Sequence, residues 1–264
     1  MKNNTIINGN CWVAYFDILG FKNLVKGFPV EFVRDKLKEA LEHGGQFNAV
    51  CRFKHFSDTF IFYTENDLSD SFLKIRDVSM YFFSIMFTDN KNLPYFPMRG
   101  CLNVGQLYSN ENDGIFFGQA LIDAYHIAEW QNWIGFVLSK KAIKKIREYE
   151  LSGTKTKNER WFQEYNVPYK EEAEKSLLDN NTYKLNILHE NYPKVFRSRL
   201  SIMGSEALDL LPENDRCSKC EKILAKYKNT EDYLVFLYPS LEKENKMFDK
   251  DELCSTCSIN KKKI

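Results

Sequence analysis

The sequence lacks any long apolar run, and no segment approaches the roughly 20 apolar residues that a membrane-spanning helix needs. Its first ten residues, MKNNTIINGN, lack the basic-then-apolar order of a secretory signal. Neither sign of charge is in excess, since 37 Lys and Arg face 36 Asp and Glu. This balance argues against a general nucleic-acid binder and against a protein held to a membrane by charge. We therefore expect a cytoplasmic protein.

Apolar and aromatic residues are abundant. Hydrophobic residues make up 44% of the 264 positions, including 21 Phe and 14 Tyr, so a sizeable core is expected and disorder is excluded as the main state. Cys11, Cys51 and Cys101 stand in apolar, strand-like surroundings and are expected to be small buried hydrophobes.

The hydrophobic pattern predicts an α+β protein in the order β-α-β-β-α-β. This is the ferredoxin-like or palm order, with helices on one face of a mainly antiparallel sheet. A polar stretch after Leu151 divides the chain into a domain at 1–150 and an extension at 151–264. The predicted strands are 11–17, 49–56, 58–64, 98–106, 115–117 and 134–139, and the predicted helices are 29–45, 69–88, 118–130, 140–150, about 193–211 and 217–229.

Two acids stand where strands end. Asp17 ends the apolar segment WVAYF, and Asp58 lies at the short joint between two strands. In the palm order these strands are neighbours, so the carboxylates can converge at one edge of the sheet. Paired carboxylates suit two Mg²⁺ or Mn²⁺ ions. For Asp58, the alternative is an ordinary turn-forming residue.

Four segments resemble the class III nucleotide cyclases. FDILGF resembles their first metal-binding motif, KHFSDTFIFY resembles the second, with Ser57 in place of the usual Gly, and MRGCLNVG resembles the following strand. FFGQALIDAYHIAE is most similar to the pyrimidine cyclases of bacterial Pycsar anti-phage defence, and NVPYK resembles an element that follows the cyclase core in such proteins.

The resemblance implies roles for five residues. Asp17 and Asp58 would bind the two metal ions, with the main-chain carbonyl of Ile18 as an additional ligand. Arg99 would bind the triphosphate, and its alternative is a strand residue in a salt bridge. Lys54 would contact the base, although an exposed strand lysine remains the alternative.

The sequence also departs from the family pattern. Class III cyclases carry Asn and Arg on the helix after Gly118, at the positions of Ile122 and His126 here. The glutamate that follows Ala-Tyr in the motif is Ala128 here, with a glutamate one position later. Tyr125 is expected to fill the core rather than to contact the base.

By resemblance, the protein would convert UTP or CTP to the 3′,5′-cyclic nucleotide and pyrophosphate. A homodimer with interfacial active sites is implied, and the product would act on a separate effector protein during phage infection. The alternatives are an adenylate or guanylate cyclase, a palm protein that binds nucleotide without turnover, and a zinc-dependent interaction protein whose palm-like half is scaffold.

Four cysteines in the extension form two Cys-x₂-Cys pairs. The pairs are Cys217 with Cys220 and Cys254 with Cys257, and 33 residues separate Cys220 from Cys254. Four thiolates in this arrangement are typical of a closed structural Zn²⁺ site, and a cytosolic protein favours metal over disulfides.

Overall fold

The fold was obtained as a computed structural model. It describes residues 6–86, 96–151, 162–174, 176–178, 182–185, 200, 202–204, 207, 216–238 and 241.

Every helix and strand predicted up to residue 151 is found, with bounds that shift by a few residues, and the short helix α1 was not predicted. The predicted helix at 193–211 falls mostly outside the described residues. The strands are β1 (Ile6–Ile18), β2 (Arg52–Phe56), β3 (Thr59–Tyr63), β4 (Met98–Asn110), β5 (Ile115–Phe117), β6 (Gly135–Leu138), β7 (Phe162–Tyr165) and β8 (Thr182–Leu185), and the helices are α1 (Phe21–Gly27), α2 (Val30–Gln46), α3 (Ser69–Met86), α4 (Gln119–Trp130), α5 (Lys140–Leu151) and α6 (Arg216–Leu237).

The strands form one eight-stranded sheet in the order β2-β3-β1-β4-β6-β8-β7, with β5 paired to β4. Neighbouring strands run antiparallel, except β4 and β6, which are parallel. β1 lies between β3 and β4, and its Asp17 stands opposite Thr59 and Arg99. The topology therefore brings the end of β1, the β2–β3 turn and the start of β4 together.

The central strands are buried on both faces. Trp12 and Phe16 of β1 belong to a core cluster with α1, α2, α3 and α5, whereas Val13 and Tyr15 belong to a second cluster with α4. The prediction that helices cover one face only is therefore wrong, because α4 covers the other. Unbroken apolar strands such as WVAYF are typical of strands that are covered on both sides.

Parts of the predicted extension belong to the same sheet and core. β8 pairs with β6 at Val137, and β7 pairs with β8. Helix α6 contributes Tyr227 and Leu234 to the first core cluster and Tyr233 to the second. Within the described segments, no helix has both the length and the apolar character that crossing a membrane requires.

Gly118 sits where the chain enters α4 from β5. A Cβ at this position would lie 2.7 Å from the Cα atom of Leu107 and would also press on the main-chain oxygen of Gln106. Backbone atoms of a paired strand cannot rotate away as a flexible side chain can. We therefore expect Gly118→Ala to lower the free energy of unfolding by about 3 kcal/mol, measured by urea unfolding.

Gly45 in α2 provides the matched control, because a Cβ added there would meet nothing within 4 Å. Gly45→Ala should raise the free energy of unfolding by at most about 0.5 kcal/mol, since glycine costs about 0.5–1 kcal/mol in a helix interior and Gly45 lies one residue before the end of α2. Equal effects of the two substitutions would contradict the close approach of α4 to β4.

Candidate active site

Asp17 and Asp58 lie next to each other at one edge of the sheet. Asp17 stands opposite Thr59 in the β1–β3 ladder, one residue beyond Asp58. The main-chain N–H of Ile18 donates a hydrogen bond of 3.1 Å to the main-chain oxygen of Asp58. The topology thus brings together two acids that are 41 positions apart in the chain.

The turn that carries Asp58 is a two-residue hairpin, because Phe56 pairs with Thr59 on either side of it. Ser57 has a φ of 56°, in the left-handed region that favours glycine. Its main-chain oxygen contacts Nε2 of His55 at 2.8 Å. This conformation is compatible with the Gly that the resembled cyclase motif has at the position of Ser57.

Arg99 joins Asp17 to α4. Its Nε and Nη2 atoms lie 3.0 and 2.9 Å from Oδ2 of Asp17. Its Nη1 donates to the main-chain oxygen of Glu129 at 2.9 Å, and its Nη2 also contacts the Glu129 carboxylate. The Arg99 side chain is only 8% exposed. The expected contact of Arg99 with the triphosphate stays a prediction. In the structure, Arg99 neutralises the carboxylate of Asp17.

Glu129 is a site residue to which the sequence analysis assigned no role. It lies one position after Ala128, where the resembled motif has its glutamate. The last turn of α4 brings Glu129 to Arg99, so one guanidinium holds two carboxylates.

Burial disfavours the ionised form of Asp17. Removal of the side chain from water raises the pKa of Asp17 from 3.8 to about 6, while Arg99 pulls it down and Asp58 and Glu129 push it up. Because the charge of Asp58 contributes to this rise, the two carboxylates are close enough to repel each other. An additional cation beside Asp17 would therefore stabilise its ionised form.

Two of the positions at which the sequence departs from the cyclase pattern, Ile122 and His126, lie on the outer face of α4. Ile122 and Tyr125 are 48% and 43% exposed, and His126 stacks on Trp130 with ring centroids 5.6 Å apart. The prediction that Tyr125 fills the core is wrong. Its ring instead packs edge-on against Tyr15 at the surface, with centroids 5.8 Å apart.

Lys54 lies on β2, the edge strand of the sheet, and its side chain is partly buried. It pairs with Ile61, which in turn pairs with Tyr15. Alternate residues of a strand share a face, so Lys54 lies on the α4 side of the sheet, as Tyr15 and Asp17 do.

Two further lysines reach this region, and the sequence analysis gave neither of them a role. The main-chain N–H of Lys170 donates to the oxygen of Trp130 at 2.8 Å, which places Lys170 beside Glu129. The pKa of Lys226 on α6 is lowered to about 8, chiefly by burial and then by the charges of Arg99 and Lys170. Lys170 is the last residue of the NVPYK segment noted in the sequence, whereas no sequence signal marked Lys226.

The predicted zinc site is only partly within the described residues. Cys217 and Cys220 both lie on α6, and Cys220 is buried. Cys254 and Cys257 lie outside the described residues, so the zinc site stays a prediction. Cys11, Cys51 and Cys101 are buried free thiols, as expected.

No protein-family model matches the sequence, and a search of curated protein sequences finds no match. Solved structures with a similar fold do exist. The catalytic core of a rhodopsin–guanylyl cyclase with converted specificity, in complex with ATPαS, superposes with a TM-score of 0.52 at 13% identity, covering 69% of this chain and 98% of that one.

Two fungal domains give similar values. The dimeric guanylyl cyclase domain of a rhodopsin fusion protein from Blastocladiella emersonii has a TM-score of 0.51 at 12% identity, covering 69% of this chain and 97% of that chain. The guanylate cyclase domain from Catenaria anguillulae, in complex with GTP, has a TM-score of 0.50 at 12% identity, covering 69% and 98%. This chain therefore has the class III nucleotide cyclase fold.

Proposed function

We propose that this protein is a nucleotide cyclase that converts UTP or CTP to the 3′,5′-cyclic nucleotide and pyrophosphate. The observation that carries the proposal is the adjacency of Asp17 and Asp58 at the end of β1, in a chain with this fold. Arg99 and Lys170 lie close by, and cations beside acids suit a substrate that brings both phosphate charge and metal ions.

The residues present fit the metal ions that such chemistry requires. Asp17 and Asp58 supply carboxylate oxygens, the ligands that Mg²⁺ and Mn²⁺ prefer. Burial raises the pKa of Asp17 to about 6 although Arg99 lowers it, so a metal ion beside this carboxylate would stabilise its charged form. We propose that Asp17, Asp58 and the main-chain oxygen of Ile18 hold two such ions, which when bound polarise the phosphoryl group and activate the attacking hydroxyl.

The reaction is intramolecular. The ribose 3′-oxygen bonds to the α-phosphorus, the bond from that phosphorus to the pyrophosphate oxygen breaks, and the hydroxyl proton passes to solvent. The side chains mainly position the reacting groups and balance charge. Arg99 holds the Asp17 carboxylate in place, Lys170 faces the phosphate chain, and Lys54 donates to an acceptor on the base.

The choice of base rests on the resemblance of GQALIDAYHIAE to the pyrimidine cyclases. Lys54 offers donors only, and uracil O4, cytosine N3 and adenine N1 all accept from it. An adenylate or guanylate cyclase is the second candidate, favoured by the named structural neighbours. Ile122 and His126 replace the family's Asn and Arg, which favours a site that differs from theirs.

A product assay tests the proposal. The protein is incubated with each of the four ribonucleoside triphosphates and Mn²⁺, and the products are identified by mass spectrometry. A cyclic pyrimidine nucleotide is the expected product. A cyclic purine nucleotide would overturn the base assignment, and tight nucleotide binding without product would support a sensor.

We further propose that the active unit is a homodimer. Phe56 is 81% exposed beside the acidic turn, on the same side of the sheet as the exposed Ile122 and Tyr125 of α4. An apolar surface next to the site suits a second copy of this chain. If each active site takes Asp58 from one copy and Lys54 from the other, mixing the inactive Asp58→Asn and Lys54→Ala proteins should restore part of the activity. In the mixed dimer, one of the two sites then has both wild-type residues.

Two accompanying proposals rest on the sequence. The resemblance to Pycsar cyclases supports a product that acts on a separate effector protein in anti-phage defence. The spacing of Cys217, Cys220, Cys254 and Cys257 supports one structural zinc ion per chain. Elemental analysis should find about one zinc in the wild type and much less in Cys254→Ser, and zinc-free wild-type protein would contradict the site.

A further inference from the structure

We propose that Lys226 of α6 binds the phosphate chain of the nucleotide, so that the C-terminal helix completes the active site of its own subunit. This inference rests on the proposed function and adds to it a residue from outside the segments that resemble nucleotide cyclases.

Helix α6 is anchored to the core close to Lys226. The hydroxyl of Thr230 accepts a hydrogen bond of 2.9 Å from the main-chain N–H of Ile134, and Nδ2 of Asn229 donates to the oxygen of Asn132 at 2.7 Å. The Thr230 hydroxyl also contacts the main-chain oxygen of Lys226, one turn earlier, at 2.8 Å. Lys226 therefore lies on the side of α6 that faces the core.

Lys226 lines a cavity at the end of β1. Its walls include Leu19 and Gly20, which directly follow the Asp17-Ile18 pair, and Pro97, which lies two residues before Arg99. The cavity volume is about 60 Å³, which is far too small for a nucleoside. Most of the other lining side chains are apolar, and Lys226 is the cation among them.

The charges around Lys226 favour an anion. Arg99 and Lys170 are its cationic neighbours, and the carboxylates of Asp17 and Glu129, both in contact with Arg99, also act on it, so three cations face two carboxylates. Among the residues that the structure describes, Lys226 forms no ion pair within 4 Å. A largely buried ammonium without a close ion pair is costly, and a bound phosphate group offsets that cost.

The test is a comparison of nucleotide affinities. Binding of α,β-methylene-UTP, which cannot be cyclised, is measured by calorimetry with Mn²⁺ for wild type, Lys226→Ala and Lys226→Arg, with UMP as the second ligand. Loss of one charge-assisted contact should weaken binding of the triphosphate analogue by about 10- to 100-fold in Lys226→Ala. UMP affinity should change little, and arginine should restore most of the loss.

The exposed Lys222 on the same helix provides the matched control, and Lys222→Ala should bind like wild type. In the cyclase assay, Lys226→Ala should raise KM more than it lowers kcat. A purely structural role would instead lower Tm and weaken both ligands equally, which would overturn the proposal. Higher activity in Lys226→Ala would also overturn it, because Lys226 would then obstruct the site.

Failure of this inference differs from failure of the proposed function. A wild-type protein that forms cyclic product, with unchanged KM in Lys226→Ala, would sink the inference alone. A wild-type protein that forms no product but binds the analogue in a Lys226-dependent way would sink the cyclase proposal alone. A wild-type protein that binds neither the analogue nor inorganic tripolyphosphate would overturn both.

Discussion

Asp58→Asn is expected to lower the rate of cyclic nucleotide formation by at least about 10³-fold. The substitution keeps the shape of the side chain and removes its charge. Two-metal sites contribute several kcal/mol to the stabilisation of a phosphoryl transition state, and each 1.36 kcal/mol corresponds to tenfold in rate. The rate is measured as product formed per minute at saturating Mn²⁺ and nucleotide.

The fold should survive this change. The Asp58 side chain forms no ion pair among the described residues, and it raises the pKa of Asp17 through like-charge repulsion. Asp58→Asn should therefore alter the free energy of unfolding by less than about 0.5 kcal/mol without metal. Mn²⁺ should raise the Tm of wild type but not of the variant, because a bound ligand stabilises only the protein that binds it.

Asp77→Asn is a suitable control, since Asp77 is exposed on α3 and pairs with Arg76. It should keep full activity. Full activity in Asp58→Asn would mean that the acid pair does not hold the catalytic ions, and the cyclase mechanism would then have no metal site among the residues assigned to it.

Arg99→Met should produce the second large effect, on stability as well as on activity. The substitution removes the cation held between Asp17 and Glu129 and leaves Asp17, whose side chain is 16% exposed, without its partner. Removing one partner of a buried pair costs about 3–5 kcal/mol. Because the Glu129 side chain is 37% exposed and water screens its charge, we expect the lower end, about 3 kcal/mol.

Two conditions should reduce this loss. The pKa of Asp17 is already raised to about 6, and removing Arg99 takes away the charge that lowers it. In the variant the pKa of Asp17 therefore lies above 6, so the carboxyl takes up a proton in the folded state as pH falls through that higher value, and the deficit of Arg99→Met should shrink. Mn²⁺ should also reduce the deficit, because an ion at Asp17 replaces the missing charge.

Arg52→Met is the matched control for charge and length. Arg52 pairs with Glu65 at a more exposed place, with side chains 24% and 54% exposed. Such pairs contribute at most about 1 kcal/mol. Urea unfolding at pH 7.5 and pH 5 separates the two variants, and an Arg99→Met protein as stable as Arg52→Met at both pH values would show that Asp17 does not depend on Arg99.

Local pattern was enough to predict most of the secondary structure. Hydrophobic periodicity, the hairpin joint at Ser57-Asp58 and the glycine at 118 act over a few neighbouring residues, and the corresponding elements up to residue 151 are found. The neighbouring positions of Asp17 and Asp58 also followed from the sequence, because both acids stand at strand ends and the strand order makes those strands neighbours.

The sequence by itself thus determined most of the elements up to residue 151, their order and the acid pair. Only the tertiary structure decided that α4 covers the second face of the sheet, that Glu129 shares Arg99 with Asp17, and that Lys226 reaches the same edge from α6. These residues are separated by 30 to more than 200 positions. Their meeting depends on strand register and helix docking, which arise from packing over the whole core and leave no local pattern in the chain.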